Sequence, residues 1–254
     1  MKMVKIILAT LLGLVLLLGL TQTEKIARLY HTITLFDADV IVSNFSDMSS
    51  MYKTVEIKPT QKPSVFEHKA VALPSHFKFK DVEQDVPDFL EETGTTALLV
   101  IKNNTITFED YYRGTHKTDR RISWSTAKSF LSALFGIAVY EGDISSIEEP
   151  VTKYVPALVG SGYDGVRIKD VLQMSSGVRF NEDYDDFNSD INRFGHTFAL
   201  GGSFDDFAAS LVREKTPGTF LHYVSIDTHV LGMVLRAATG RTIVDYFNDK
   251  LWSK

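Results

Sequence analysis

Ser125-Thr126-Ala127-Lys128 opens the stretch that decides the fold, and Ser129-Phe130-Leu131-Ser132-Ala133-Leu134-Phe135-Gly136-Ile137-Ala138 continues it. From Thr126 the pattern is helical, and Gly142 is the expected stop. Phe130, Leu131, Leu134, Phe135, Ile137 and Ala138 leave almost no polar face, so a helix buried on most sides is predicted. Residues three apart share a helix face, which brings Lys128 within reach of the Ser125 hydroxyl. A serine hydroxyl is a poor nucleophile at neutral pH and needs a base beside it. A lysine in apolar surroundings holds its proton less firmly and can be that base. The free N–H groups at the helix start favour negative charge developing at Ser125. The competing reading is an N-cap serine followed by a surface lysine.

Working outward, the S-x-x-K spacing recurs at Ser50-Met51-Tyr52-Lys53 and Ser75-His76-Phe77-Lys78. Neither opens a long apolar helix, so Ser125 is preferred. Just upstream lies a hairpin. Ala97–Ile101 reads as a buried strand, Asn103-Asn104 as the turn, and Thr105–Tyr112 as an alternating second strand. A short helix is expected over Pro87–Glu92, capped by Asp85 or Val86. Downstream, helices are expected over Ile168–Met174, Phe204–Val212, Ile226–Thr239 and Ile243–Leu251, with Thr242 and Asp245 as a capping pair. No convincing strand follows the hairpin, and a lone hairpin is marginally stable. Further strands are therefore expected beyond residue 254, in a longer gene product.

A second candidate is Tyr223, which follows the Pro217-Gly218 break and precedes a helix. A phenol beside a lysine ammonium gives up its proton more easily and can relay it. Taken alone, it is more often an ordinary loop tyrosine. Ser225, two residues on, is a candidate substrate contact. So are Glu182 and Asp183 in the acidic run Glu182-Asp183-Tyr184-Asp185-Asp186, which could attract an amine-bearing substrate or simply form a solvated loop. The seven histidines show no metal spacing. There is no G-x-S-x-G elbow and no glycine-rich phosphate loop.

In combination these segments resemble the serine β-lactamase and penicillin-binding-protein superfamily, in its class C-related part. Ser125-Thr126-Ala127-Lys128 looks like the first motif, and Tyr223-Val224-Ser225 like the second, usually Y-x-N. Ile168–Gly177 resembles the intervening segment. Ser176–Tyr184 and Tyr223–Gly232 are similar to the 6-aminohexanoate-dimer hydrolase branch in particular. The resemblance runs from about Thr95 to the C-terminus. It implies an α+β fold of the β-lactamase/DD-peptidase type: an antiparallel sheet flanked by helices, plus a helical subdomain, here incomplete at the C-terminus. It also implies acyl transfer from a linear amide or short ester through Ser125, with Lys128 and Tyr223 assisting and no cofactor or metal. A D-alanyl peptide or β-lactam is the superfamily's other substrate class. Two departures stand out. Ser225 replaces the motif's Asn, and the third motif, K-T-G or H-x-G on a strand, does not occur. A strict Y-x-N at Tyr246-Phe247-Asn248 sits inside the last helix and is taken as a decoy. An inert truncated product or a sensor-like membrane protein is the non-catalytic alternative.

Composition sets the frame. The 254 residues carry a formal net charge of −5, which argues against a nucleic-acid surface. There is no cysteine, hence no disulfide, thiol nucleophile or lipoprotein anchor. Lys2 and Lys5 precede the apolar run Ile6–Leu20, the pattern of a signal anchor or signal peptide over 1–22. The chain is then expected at the inner membrane facing the periplasm, or exported. Residues 23–70, with Pro59 and Pro63 and no sustained period, read as a stalk. Residues 71–254 read as the hydrolase-like domain.

Overall fold

The computed structural model describes residues 22–60 and 62–254. Along the chain the helices are α1 (Thr23–Ile33), α2 (Ile41–Ser46), α3 (Met48–Met51), α4 (Val86–Glu92), α5 (Thr126–Glu141), α6 (Ile168–Leu172), α7 (Asp190–Ala199), α8 (Phe204–Ser210), α9 (Ser225–Thr239) and α10 (Ile243–Phe247). The strands are β1 (Glu67–His68), β2 (His76–Phe79), β3 (Val82–Asp85), β4 (Ala97–Lys102) and β5 (Thr105–Tyr111). These fall into two compact units. The apolar run Ile6–Leu20 lies outside the described residues. Among the described residues no helix is long and apolar enough to cross a membrane.

The first unit comprises residues 35–50 and 59–122. Its centre is the β4–β5 hairpin, in register from Ala97 opposite Tyr111 to Lys102 opposite Thr105, with a bulge at Val100/Ile101. Asn103 and Asn104 take φ of 51° and 56°. Two left-handed residues match the twist of the strands, and asparagine tolerates that conformation. The sheet is mixed where an antiparallel one was expected, because β1 joins β5 in parallel and gives the order β1-β5-β4. A second hairpin, β2–β3, turns on Lys80 and Asp81, whose φ are 48° and 64°. Asp85 then caps α4 by accepting from the Asp88 N–H at 3.0 Å.

The second unit comprises the described residues to 34, then 51–58 and 123–254. It holds one core of buried residues, including Leu134, Phe135, Ile144, Leu158, Tyr163, Ile168, Ile226, Val230 and Leu235. The hub is α9, which packs on α5, α6, α8 and α10. Its buried positions Ile226, Val230, Leu231, Met233, Val234 and Leu235 cover more than one face, as a helix with several neighbours requires. The expectation for α5 needs correction. Only Leu134, Phe135 and Ala138 are fully buried. Phe130 is 40% exposed, and Ala133 and Gly136 also face outward. Residues 23–33, within the expected stalk, carry Ile26, Leu29, Tyr30 and Ile33 at helical spacing; they fold as α1 and dock on α7, where Arg28 Nε donates to the Ala199 carbonyl at 3.1 Å. Tyr52 extends this contact, bonding Thr32 and packing its ring on Phe198.

Candidate active site

Ser125 stands at the N-cap of α5, and its hydroxyl makes no capping bond. That separates the two readings of S-x-x-K. A capping serine turns its oxygen to the backbone of the first turn. The Ser125 Oγ instead meets Lys128 Nζ at 3.1 Å and Tyr223 OH at 2.7 Å. Lys128 Nζ also lies 5.3 Å from the centre of the Tyr223 ring, close enough for attraction to its face. Three polar groups, one of them 98 residues away in sequence, thus form one hydrogen-bonded cluster. The Ser125 N–H finds no acceptor among the described residues. It is therefore a candidate donor to an oxyanion forming on Ser125's acyl partner. Trp124, just before, has φ of 44°. A left-handed tryptophan costs about 1–2 kcal/mol, and nothing in the sequence signals it.

Tyr223 is delivered by a loop zipped onto the segment after α6. Arg179 N–H bonds the Val212 carbonyl at 2.9 Å, Glu214 and Lys215 N–H both reach Gly177 O, and Gly218 N–H reaches Ser175 O at 2.8 Å. His222 finishes the zipper: its N–H donates to Met174 O at 2.8 Å and its Nε2 meets Phe180 O at 2.9 Å. Gly218 has φ of 77°, and a Cβ there would come within 2.8 Å of Asp170 Oδ1. Asp170 is 2% exposed and held by both arms of the Arg167 guanidinium at 2.9 and 2.8 Å. The Ile168–Gly177 segment therefore serves as the bed on which the Tyr223 loop lies.

Ser225 begins α9, and its N–H donates to Glu182 Oε1. Glu182 thereby neutralises the positive end of that helix. Its Oε2 is buried without a partner. Asp183 is apart from this group. It is exposed, and its Oδ1 accepts from the Asp185 N–H at 2.9 Å. The same pattern recurs at Asn181 and Asp186, so the acidic run is largely a self-bonded loop. The decoys are explained as well. Tyr246 is 1% exposed, with its hydroxyl 3.2 Å from Glu141 Oε2. Burial pushes its phenol up to about 12. Ser75 lies just ahead of β2, where a three-residue spacing puts no two side chains on one face. Ser50 bonds the Asp47 carbonyl within its own turn. Among the described residues no cluster of His, Asp or Glu is arranged to hold a metal ion.

Sequence reasoning passed over Asp227, which is completely buried in the first turn of α9 and accepts from Tyr163 OH at 2.7 Å. An aspartate there reads as an ordinary helix-start acid. Burial pushes its carboxyl up to about 7; Tyr163 and Ser176 partly offset this, and the Glu182 charge adds to it.

A serine opening a helix, a lysine one turn on and a tyrosine from a second loop are the architecture of the serine β-lactamase and DD-peptidase fold. The chain belongs to the beta-lactamase family, whose model matches residues 82–254. It is 33% identical over 177 residues to the 6-aminohexanoate-dimer hydrolase of Paenarthrobacter ureafaciens, which covers 67% of this chain and 45% of that protein. Among solved structures, "Putative 6-aminohexanoate-dimer hydrolase from Bacillus anthracis" aligns with a TM-score of 0.77 at 16% identity, over 87% of this chain and 60% of that one. That match shows the fold. A class C beta lactamase from Rhodobacter sphaeroides aligns with a TM-score of 0.45 at 19% identity, over 65% of this chain and 46% of that one. The chain thus spans about half the length of the relatives it matches, from 45% to 60%.

Proposed function

We propose that this chain carries the nucleophilic part of a serine hydrolase for linear amides or short esters. Ser125 Oγ attacks the carbonyl carbon while its proton passes to the Lys128 amine or to Tyr223. The tetrahedral intermediate collapses, the C–N or C–O bond breaks, and the amine or alcohol leaves with a proton relayed by Tyr223. Water then attacks the Ser125 ester, releases the acid and returns a proton to Oγ. The observation that carries this reading is the Ser125 Oγ lying 2.7 Å from Tyr223 OH and 3.1 Å from Lys128 Nζ, with no capping role. The likeness to the Paenarthrobacter protein favours a linear amide over a D-alanyl peptide or β-lactam, and so does Ser225 in place of the motif's Asn.

The second reading is acylation without efficient turnover, in which the Ser125 ester forms and water does not release it. A fluorophosphonate probe and a p-nitrophenyl ester separate the readings. Label mapping to Ser125 and lost in Ser125→Ala supports the nucleophile, whereas label persisting in that variant overturns it. Steady release of nitrophenol marks a hydrolase, and a single burst marks an acyl-binding protein.

For location, we propose that Lys2, Lys5 and the Ile6–Leu20 run act as a signal anchor or export signal, so that the domain faces the periplasm or is exported. The domain should then be cut by protease added to spheroplasts. Full-length protein in the cytoplasmic fraction would defeat this.

A further inference from the structure

Tyr223 hangs between two anchors. On one side His222 is bonded to Met174 and Phe180. On the other, Ser225 N–H is bonded to Glu182, and Asp227 accepts from Tyr163 OH at 2.7 Å. Asp227 and Tyr163 are each 0% exposed. Asp227 Oδ2 and Glu182 Oε2 are both buried without a hydrogen-bond partner. A buried carboxyl with an empty oxygen is costly, and an apolar residue would fill the position more cheaply. Helix α9 does not need it as a cap, since Glu182 already meets its first amide. What Asp227 adds is a tie between the start of α9 and the 161–165 turn, made four residues after Tyr223.

We propose that Asp227 is a positioning residue of the site: by tying the first turn of α9 to Tyr163, with Glu182 on the adjoining amide, it holds Tyr223 over Ser125. The proposal rests on the reading of Tyr223 given above. The titratable groups that face Asp227 are Tyr163, from the turn, and Glu182, from the acidic loop; the Ser176 hydroxyl stands beside them. Burial pushes the Tyr163 phenol well above its ordinary range, so it stays a donor throughout. Below about pH 7 Asp227 is the neutral acid and carries no charge to oppose Glu182. Above it, two carboxylates with two unsatisfied oxygens share one buried place. Their repulsion loosens the turn that sets where Tyr223 points.

The test compares wild type, Asp227→Asn, Asp227→Ala and Tyr163→Phe as full chains. Fluorophosphonate labelling of Ser125 is followed from pH 6 to 8.5. The Tyr223 ring resonance in protein carrying ¹³C-tyrosine is followed over the same range and assigned by its loss in Tyr223→Phe. Asparagine mimics the neutral acid. Asp227→Asn should therefore label at the wild-type rate at pH 6 and at least threefold faster at pH 8.5. Asp227→Ala should label at least tenfold slower at pH 6, and Tyr163→Phe severalfold slower. The Tyr223 resonance should move with a midpoint near pH 7 in wild type and stay fixed in Asp227→Asn. A flat rate ratio together with an unmoved resonance overturns the proposal, even if Asp227→Ala fails to fold. If wild type is not labelled at Ser125 but the resonance still moves, the hydrolase reading fails and the positioning role stands.

Discussion

Asp227 should make the helical unit less stable as pH rises from 4 to 7. The unfolded chain releases this proton near pH 3.8, whereas the native carboxyl, pushed up by burial, keeps it to about pH 7. Over that interval the native state binds more protons than the unfolded state, so stability falls as pH rises, and it levels off once both are ionised. Three pH units at ~1.4 kcal/mol each set the loss at about 4 kcal/mol. His229 works the other way. Burial lowers its pKa in the fold, so it costs stability below about pH 6.5 and regains it as pH rises. Comparison with Asp227→Asn cancels His229 and every other shared group. Both tryptophans, Trp124 and Trp252, lie in the helical unit, so their fluorescence reports its unfolding. Urea titrations at pH 4.5, 5.5, 6.5 and 7.5 should show the wild type losing about 3 kcal/mol relative to Asp227→Asn across the series. A difference that stays constant to within about 1 kcal/mol, or that grows in the opposite direction, would refute the buried-acid assignment.

Lys128→Ala should slow probe labelling by ~10²–10⁴, the usual worth of a positioned proton acceptor; intact-mass kinetics would show it. Tyr223→Phe should slow it by about 10², with the circular dichroism spectrum unchanged. Ser50→Ala and Ser75→Ala should label like wild type, because Ser50 bonds the Asp47 carbonyl within its own turn and Ser75 lies just ahead of a strand, so neither is set against a lysine on one helix face. Gly218→Ala should lower stability by about 1–2 kcal/mol through its left-handed backbone, and slow labelling as well, because the new methyl pushes the Tyr223 loop off Asp170.

The hairpin was legible because two local signals agreed, alternation along Thr105–Tyr111 and an Asn-Asn pair suited to left-handed turn residues. The β2–β3 hairpin was not, because its turn is Lys80-Asp81, in which Asp81 suits a left-handed turn position but Lys80 does not and is held there with the strands paired around it. Helix α7 was hidden for a related reason. Asn192, Gly195, His196 and Thr197 are weak helix formers, and the segment folds through the Ser189 cap and packing on α1 and α8. At the site, Ser125 and Lys128 were legible because their relation is local, one turn of helix. Tyr223 stood out as a candidate by its Pro-Gly break and the helix after it, but its pairing with Ser125 was legible only through resemblance, since nothing short-range says that residues 98 apart will meet. Asp227 and Tyr163 were illegible. Their meaning lies in burial, and burial of an acid is decided by the whole fold.

That last point bears on how the site keeps its geometry. The Ser125–Tyr223 hydrogen bond joins the N-termini of α5 and α9. Those helices pack on each other through one core, in which α5 contributes only Leu134, Phe135 and Ala138 as fully buried side chains. A 2.7 Å contact tolerates little relative sliding, because hydrogen bonds weaken steeply once distance and angle are lost. The register of the site is therefore set by side chains well along the helix, among them Leu134, Phe135 and Ala138, with Leu131, Ile137 and Val139 packed beside them. Shaving one of them, as in Leu134→Ala, should cost about 2–5 kcal/mol of stability. It should also slow labelling at temperatures where the protein remains folded. A variant that lost the stability and kept the full rate would show that the loops zipped around Tyr223, rather than the helix pair, fix the distance.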